Sequence, residues 1–169
     1  LNKAKKLSEK AIELSPKDAK AHKALGFTLS AQNNLDAAIN SYNTALLVNS
    51  NAWDVLINIG EIYEILGDTN HAISYYKKAF DSINNQASSH VNQSKQWKAS
   101  LGSTIGEKYF QQSNLIEAEL WFRHVLTFAP FSAKATKGLS NVLKLTGQTN
   151  NSERLCLEYT ERIGKVICD

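Results

Sequence analysis

Apolar residues recur at intervals of three and four along most of the chain, and short polar turns separate these runs. Residues 1–14 give a first example, with Leu7, Ala11 and Leu14 on one face of a helix. Ser15-Pro16 ends this helix, because proline disfavours helical backbone at the residue before it. The same pattern predicts helices near residues 18–31 and 35–48. The chain is therefore expected to be all-α.

A second regularity is a 34-residue period. Leu25-Gly26, Leu29, Ala38, Tyr42 and Ala45 recur 34 residues later as Ile59-Gly60, Tyr63, Ala72, Tyr76 and Ala79. Small residues and aromatics at set places in a 34-residue period are the signature of the tetratricopeptide repeat (TPR). The chain resembles the TPR family over nearly its whole length. This resemblance implies a right-handed α-α superhelix of helix-turn-helix repeats, with each glycine small because two helices cross closely there.

The repeat register predicts a single TPR domain over residues 1–169. Its expected parts are the second helix of a truncated repeat (1–17), repeat one (19–51), repeat two (53–83), an insertion (84–95), repeat three (99–130) and repeat four (133–163), which matches the repeat pattern less well. The helix at 1–17 has no first helix before it, so we expect the chain to be a fragment of a longer protein. Turns are predicted at Asn33-Asn34, Gly67-Asp68, Ser113-Asn114 and Gly147.

The insertion interrupts the period between repeats two and three. Gly106 follows Gly60 by 46 residues, which is one period plus 12. The extra residues could form a loop, or could lengthen the two flanking helices. The amphipathic run that begins at Trp97 favours some lengthening of the second helix. Insertions in repeat proteins are often binding elements, and a solvated spacer is the alternative.

The resemblance also implies a binding groove lined by the first helix of each repeat. Carried onto this chain, the family geometry gives the groove residues Lys20, Lys23, Phe27, Asp54, Asn58, Glu61, Glu64, Thr104, Glu107, Phe110, Lys134, Lys137, Asn141 and Lys144. Their charges are basic at one end, acidic in the middle and basic at the far end. Such bands could fix the register of a peptide of mixed charge, with the two phenylalanines as apolar contacts.

Asn58 lies where TPR proteins often bind the peptide backbone, a task that suits an amide because it both donates and accepts hydrogen bonds. The carboxylate clamp of chaperone-binding TPRs is not expected, because only Lys23 and Asn58 match it. Phe27, Ser100 and Thr104 occupy its other three places.

Candidate catalytic chemistry is sparse. The four histidines form no i, i+4 pair, and Cys156 and Cys168 have no metal-binding or redox spacing. Cys156 is expected to pack as a small apolar residue. Glu61 and Glu64 are expected to be solvated carboxylates. We therefore predict no enzyme activity, no cofactor and no metal.

Composition narrows the function classes further. The net charge of +3 is too small and scattered to favour nucleic acid or an acidic membrane, and no run of 18 apolar residues is present. A protein-interaction scaffold is the leading hypothesis, with a protein or peptide partner. One alternative is a sensory or oligomerisation module, homo-oligomeric through its terminal helices, similar to TPR segments of bacterial winged-helix regulators. Another is the helical appendage of a transferase. A bacterial source and a cytoplasmic location are favoured.

Overall fold

In a computed structural model, the described residues are 1–85 and 91–167, without the side chains of 84, 85, 91 and 92. Within these ranges the chain forms α-helices and no β-strand. The helices are α1 (Asn2–Leu14), α2 (Ala19–Ala31), α3 (Leu35–Val48), α4 (Trp53–Ile65), α5 (Thr69–Asn85), α6 (Val91–Gln111), α7 (Leu115–Phe128), α8 (Ala133–Leu145) and α9 (Thr149–Ile163). The prediction of an all-α fold is confirmed.

The turns within the helix pairs lie where the sequence predicts them. Asn33 and Ser113 have left-handed backbone, with φ of 60° and 59°, and Gly67 and Gly147 both have φ of 77°. Glycine and asparagine adopt this conformation at the lowest cost. Each turn closes one helix and allows the next to return beside it.

The chain divides into two compact units, residues 1–85 and 86–169. In the first, α2 packs on α3 and α4 on α5. Its apolar core includes Leu29, Tyr42, Val55, Ile59 and Ile62, each at most 5% exposed. In the second unit α6 packs on α7 and α8 on α9. The expected single domain over 1–169 stays a prediction.

In the first three repeats a glycine faces an aromatic ring where the two helices of the repeat cross most closely. A Cβ atom on Gly26 would lie 2.7 Å from ring carbons of Tyr42, and one on Gly60 would lie 2.5 Å from Tyr76. Atoms this close overlap, so these positions accept only glycine without a shift of the ring. The predicted close crossings are confirmed.

The fourth repeat replaces this contact with a buried polar cluster. Ser140 and Ser152 are buried, and their hydroxyl oxygens lie 2.8 Å apart. The Ser152 hydroxyl also donates to the Ser140 carbonyl oxygen at 3.2 Å. Because Cys156 replaces the aromatic ring of the other repeats, there is room for Ser140 at the glycine position. The two buried hydroxyls satisfy each other's hydrogen-bonding groups.

Cys156 corrects one expectation, because it is disulfide-bonded and so is not an inert packing thiol. The chain's other cysteine, Cys168, lies outside the described residues. The sequence did not indicate that Cys156 is bonded, since a disulfide depends on the separation of Cβ atoms in space.

The insertion lengthens both helices that flank it. Helix α5 extends to Asn85, about one turn beyond the end of α3 in the repeat register. Helix α6 begins at Val91, about two turns before Ala99, the position that matches the starts of α4 and α8. The predicted lengthening of the second helix is confirmed. Residues 86–90 of the predicted insertion lie outside the described residues.

Candidate partner-binding surfaces

The first unit places the predicted groove residues of α2 and α4 on neighbouring helices, since these two helices are in contact. The Lys23 ammonium donates to Asp54 Oδ2 at 2.7 Å. Both side chains are a little over 40% exposed, and exposed pairs of this kind contribute up to about 1 kcal/mol. The pair neutralises one positive and one negative charge of the predicted bands.

Phe27 is the most accessible apolar group among the residues assigned to this surface. Its side chain is 64% exposed on α2, and Lys20 on the same helix is also exposed. On α4, Glu61 is exposed, whereas Asn58 and Glu64 are half-buried. We call the residues Lys20, Phe27, Asn58, Glu61 and Glu64 the α2–α4 surface. It combines an exposed ring with mainly negative charge.

Asn58 is tied to the core by its side chain, which hydrogen-bonds with the Tyr42 hydroxyl. Burial raises the pKa of Tyr42 to about 12, and the hydrogen bond from Asn58 opposes this rise. One hydrogen-bonding group of the amide is therefore already engaged, and it orients the rest of the side chain. Binding of a peptide backbone by Asn58 stays a prediction.

Glu61 and Glu64 of α4 interact with each other and with the core. The pKa of Glu61 is raised, first by partial burial and then by the charge of Glu64. Glu64 hydrogen-bonds with the Tyr76 hydroxyl, and burial together with this carboxylate raises the pKa of Tyr76. The expectation that both carboxylates are simply solvated is therefore wrong for Glu64. Like charges held near each other favour a cationic partner group.

The buried Tyr42 hydroxyl leads to a prediction about alkaline pH. An unfolded tyrosine loses its proton near pH 10, whereas folded Tyr42 keeps it to about 12. In this window the unfolded state binds fewer protons, so the contribution of Tyr42 to the free energy of unfolding should fall by roughly 2–3 kcal/mol as pH rises from about 10 to about 12. Urea unfolding at several pH values measures this. Tyr42→Phe should make the dependence shallower, and an unchanged slope would contradict the assignment.

The second unit brings three predicted residues together at the start of α8. The Lys134 ammonium lies 2.9 Å from Glu107 Oε2 and donates to Thr104 Oγ1 at 3.0 Å. Lys134 and Asp54 both stand second in their helices. Each unit therefore has an ion pair between the first helices of neighbouring repeats, with the order of the charges reversed.

The remaining predicted residues of the second unit differ in accessibility. Lys137 and Lys144 are exposed on α8, and Asn141 is half-buried between them. Phe110 is partly buried and packs against the core of this unit, so it is less accessible than Phe27. We call Thr104, Glu107 and the polar residues of α8 the α6–α8 surface. The expected single groove with three charge bands spans both units and stays a prediction.

A cleft that sequence analysis missed lies in the second unit. Its volume is about 510 Å³, and its walls are the start of α6, the end of α7 and the start of α8. Phe128, Phe131, Lys95 and Lys134 are among the side chains that line it. The signal that could have found it is Phe131, an apolar residue in a turn that is polar elsewhere in the chain.

The part of the chain that the structure describes contains no group of three or more His, Cys, Asp or Glu side chains able to hold a metal ion. His22 Nε2 lies 2.9 Å from the Pro16 carbonyl oxygen, and His71 Nδ1 lies 2.6 Å from Asp68 Oδ2. Both histidines therefore have local structural partners. In residues 1–85 and 91–167, no helix has the length and apolar character needed to cross a membrane.

Comparison with family models supports the repeat assignment. Two tetratricopeptide-repeat models match residues 7–40 and 54–86. Among solved structures, MamA superimposes with a TM-score of 0.72 at 14% identity, over 94% of this chain and 87% of that chain. PilF of Pseudomonas aeruginosa gives a TM-score of 0.66 at 17% identity, over 94% and 67%. The fold is thus that of a TPR solenoid.

The curated relatives are much longer proteins. Human protein O-mannosyl-transferase TMTC2 is 30% identical over 112 residues, which are 66% of this chain and 12% of the relative. Human TMTC1 is 37% identical over 79 residues, 44% of this chain and 9% of the relative. The chain thus spans about a tenth of their length. The looser resemblance to winged-helix regulators is not supported by these comparisons.

Proposed function

We propose that this chain of tetratricopeptide repeats is a protein-interaction scaffold that binds a partner peptide through the first helices of its repeats. The observation that carries the proposal is the α2–α4 surface, where the exposed Phe27 ring of α2 lies beside α4, the helix of Glu61 and Glu64. Phe27 supplies apolar area, and Glu61 and Glu64 supply charge. The partner segment expected there combines an apolar side chain with a basic one.

The polar character of the α6–α8 surface extends the proposal to the second unit. Helix α8 has no acidic residue; Glu107 offsets the charge of Lys134, and Lys137 and Lys144 add two exposed positive charges. A partner segment bound there is expected to be acidic. The two cross-repeat ion pairs hold the neighbouring first helices in register, so the exposed groups beside them are positioned before binding. Such preorganisation lowers the entropic cost of association.

A double substitution tests the α2–α4 surface. Peptides are selected from a random phage-display library on the purified 169-residue chain, and their affinities are measured by fluorescence anisotropy. Asn58→Ala with Glu61→Lys should weaken binding at least about tenfold, because it removes an amide and reverses a charge. Helicity should be unchanged, and loss of the bond to Tyr42 should lower the free energy of unfolding by only about 1 kcal/mol.

The matched control is Asn40→Ala with Asp81→Lys, which likewise removes one amide and reverses one carboxylate charge, at exposed positions on the second helices α3 and α5. Its affinity for the selected peptides should equal that of the wild type. If the control weakens binding and the α2–α4 variant does not, the partner binds the second helices instead.

A second candidate function is that of a helical appendage of a transferase, presenting a polypeptide substrate to a catalytic domain. The observation that favours it is the similarity to two protein O-mannosyl-transferases over 112 and 79 residues. The residues encoded upstream of Leu1 in the gene test it. A transferase domain there would support the appendage, and a winged helix there would overturn it.

A further inference from the structure

The cleft of the second unit exists because of the insertion. Helix α6 begins about two turns earlier than the register of α4 and α8 requires. These added turns and the residues just after them supply Lys95, Gln96 and Ala99 to one wall of the cleft. Without the added turns, the start of α8 would face no such wall. The added helical turns therefore form part of one wall of the cleft.

The opposite wall holds an aromatic ring in an unusual place. Phe131 lies in the turn between α7 and α8 and is 53% exposed. The corresponding positions before α2 and α4 are Lys17 and Asn51, which are polar and exposed. The exposed part of the Phe131 ring lines the cleft together with Phe128, so a ligand in the cleft would cover apolar area of both rings. Phe131 therefore has the properties of an anchoring contact.

The charges that line the cleft have one sign. Lys95 and Lys134 line it, and no aspartate or glutamate occurs among its described lining residues. Glu107 pairs with Lys134 at 2.9 Å from the α6 side and offsets its charge, so the net positive charge of the cleft comes mainly from Lys95. The Lys134 ammonium donates to Glu107 and Thr104, which leaves its third N–H for a ligand oxygen. Clefts of 300–1,000 Å³ with apolar walls and a few polar groups are typical ligand sites. A volume of about 510 Å³ accommodates one large side chain and its neighbours.

We propose that this cleft binds a partner peptide in which a bulky apolar side chain is flanked by acidic residues. The apolar side chain packs between Phe128 and Phe131, and the flanking carboxylates meet Lys95 and Lys134. The Gln96 amide is placed to hydrogen-bond with the peptide backbone. The inference rests on the proposed function, since it specifies the segment that the second unit recognises.

The experiment uses a fluorescein-labelled heptapeptide with blocked ends and a central leucine between pairs of glutamates. Its affinity for the 169-residue chain is measured by anisotropy at low and high salt. Phe131→Asn with Lys95→Glu should weaken binding at least about tenfold, because the first substitution installs the residue type found at Asn51 and the second reverses a charge. Salt should weaken the wild-type complex. Both residues are exposed, so folding should be unaffected.

The matched control is Leu157→Asn with Lys165→Glu, two exposed positions outside the cleft. It should bind the peptide as the wild type does. A second comparison replaces the glutamates of the peptide with lysines, which should abolish binding. Equal binding of both peptides, or no binding of the acidic peptide at millimolar concentration, would overturn the proposal.

A further variant separates this site from the α6–α8 surface. If Lys137→Glu with Lys144→Glu weakens binding of the acidic peptide and Phe131→Asn with Lys95→Glu does not, the peptide lies along α8 and the cleft assignment is wrong. If only the cleft proposal is wrong, Asn58→Ala with Glu61→Lys still weakens binding of the library peptides. If the scaffold function itself is wrong, that double substitution has no effect on their binding either, so the two results are distinguishable.

Discussion

Phe122→Ala is expected to lower the free energy of unfolding by about 3–5 kcal/mol, the usual cost of truncating a buried phenylalanine. The ring is 0% exposed, and it lies between two glycines of the second unit. A Cβ atom would come within 2.7 Å of this ring from Gly106 and within 2.3 Å from Gly138. Neither glycine has a side chain that could fill the space, so a cavity would remain. Urea unfolding monitored by circular dichroism measures the loss.

The control for Phe122→Ala is Phe27→Ala, which makes the same chemical change where the side chain is 64% exposed. Its effect on the free energy of unfolding should stay within about 0.5 kcal/mol. Equal losses for the two variants would show that Phe122 does not occupy the central packing position of its unit.

Gly60→Leu is expected to have the second largest effect, a loss of roughly 1–3 kcal/mol or more in the free energy of unfolding. Replacing a helical glycine would by itself favour the helix by up to about 1 kcal/mol. The new Cβ, however, would meet the Tyr76 ring at 2.5 Å, and that ring is only 3% exposed. The ring has little room to move, so the steric cost exceeds the gain in helix propensity.

A double-mutant cycle isolates the contact between Gly60 and Tyr76. Gly60→Leu should lower the free energy of unfolding less in a Tyr76→Ala background than in the wild type, with a coupling energy of roughly 0.5–3 kcal/mol. Equal losses in the two backgrounds would mean that the leucine does not clash with Tyr76. Tolerance of Gly60→Leu in the wild type would show that the 34-residue register is misplaced.

The sequence by itself determined the helices, their turns and the positions of close helix crossing. Each of these depends on local spacing: apolar residues every three or four positions mark a helix face, and Asn33 or Gly67 marks a left-handed turn. The pairing of Gly26 with Tyr42 is also readable, because both recur after 34 residues as Gly60 and Tyr76. A periodic fold repeats its contacts along with its sequence.

Only the tertiary structure decided which of the predicted groove residues are occupied by other contacts. Lys23 pairs with Asp54 and Lys134 with Glu107, whereas the charge pattern alone permitted many pairings. The stagger between neighbouring helices selects the partner. The engagement of Asn58 by Tyr42 could not be predicted for the same reason, since it joins two repeats.

The cleft and the disulfide of Cys156 could likewise be identified only from the tertiary structure. The sequence shows 12 inserted residues, but it is compatible with either a loop or longer flanking helices. The packing of α6, α7 and α8 against one another determines where the added turns of α6 lie relative to Phe131. Local periodicity is set by the geometry of one helix, whereas a binding site is set by distances between helices. Those distances follow from side-chain packing.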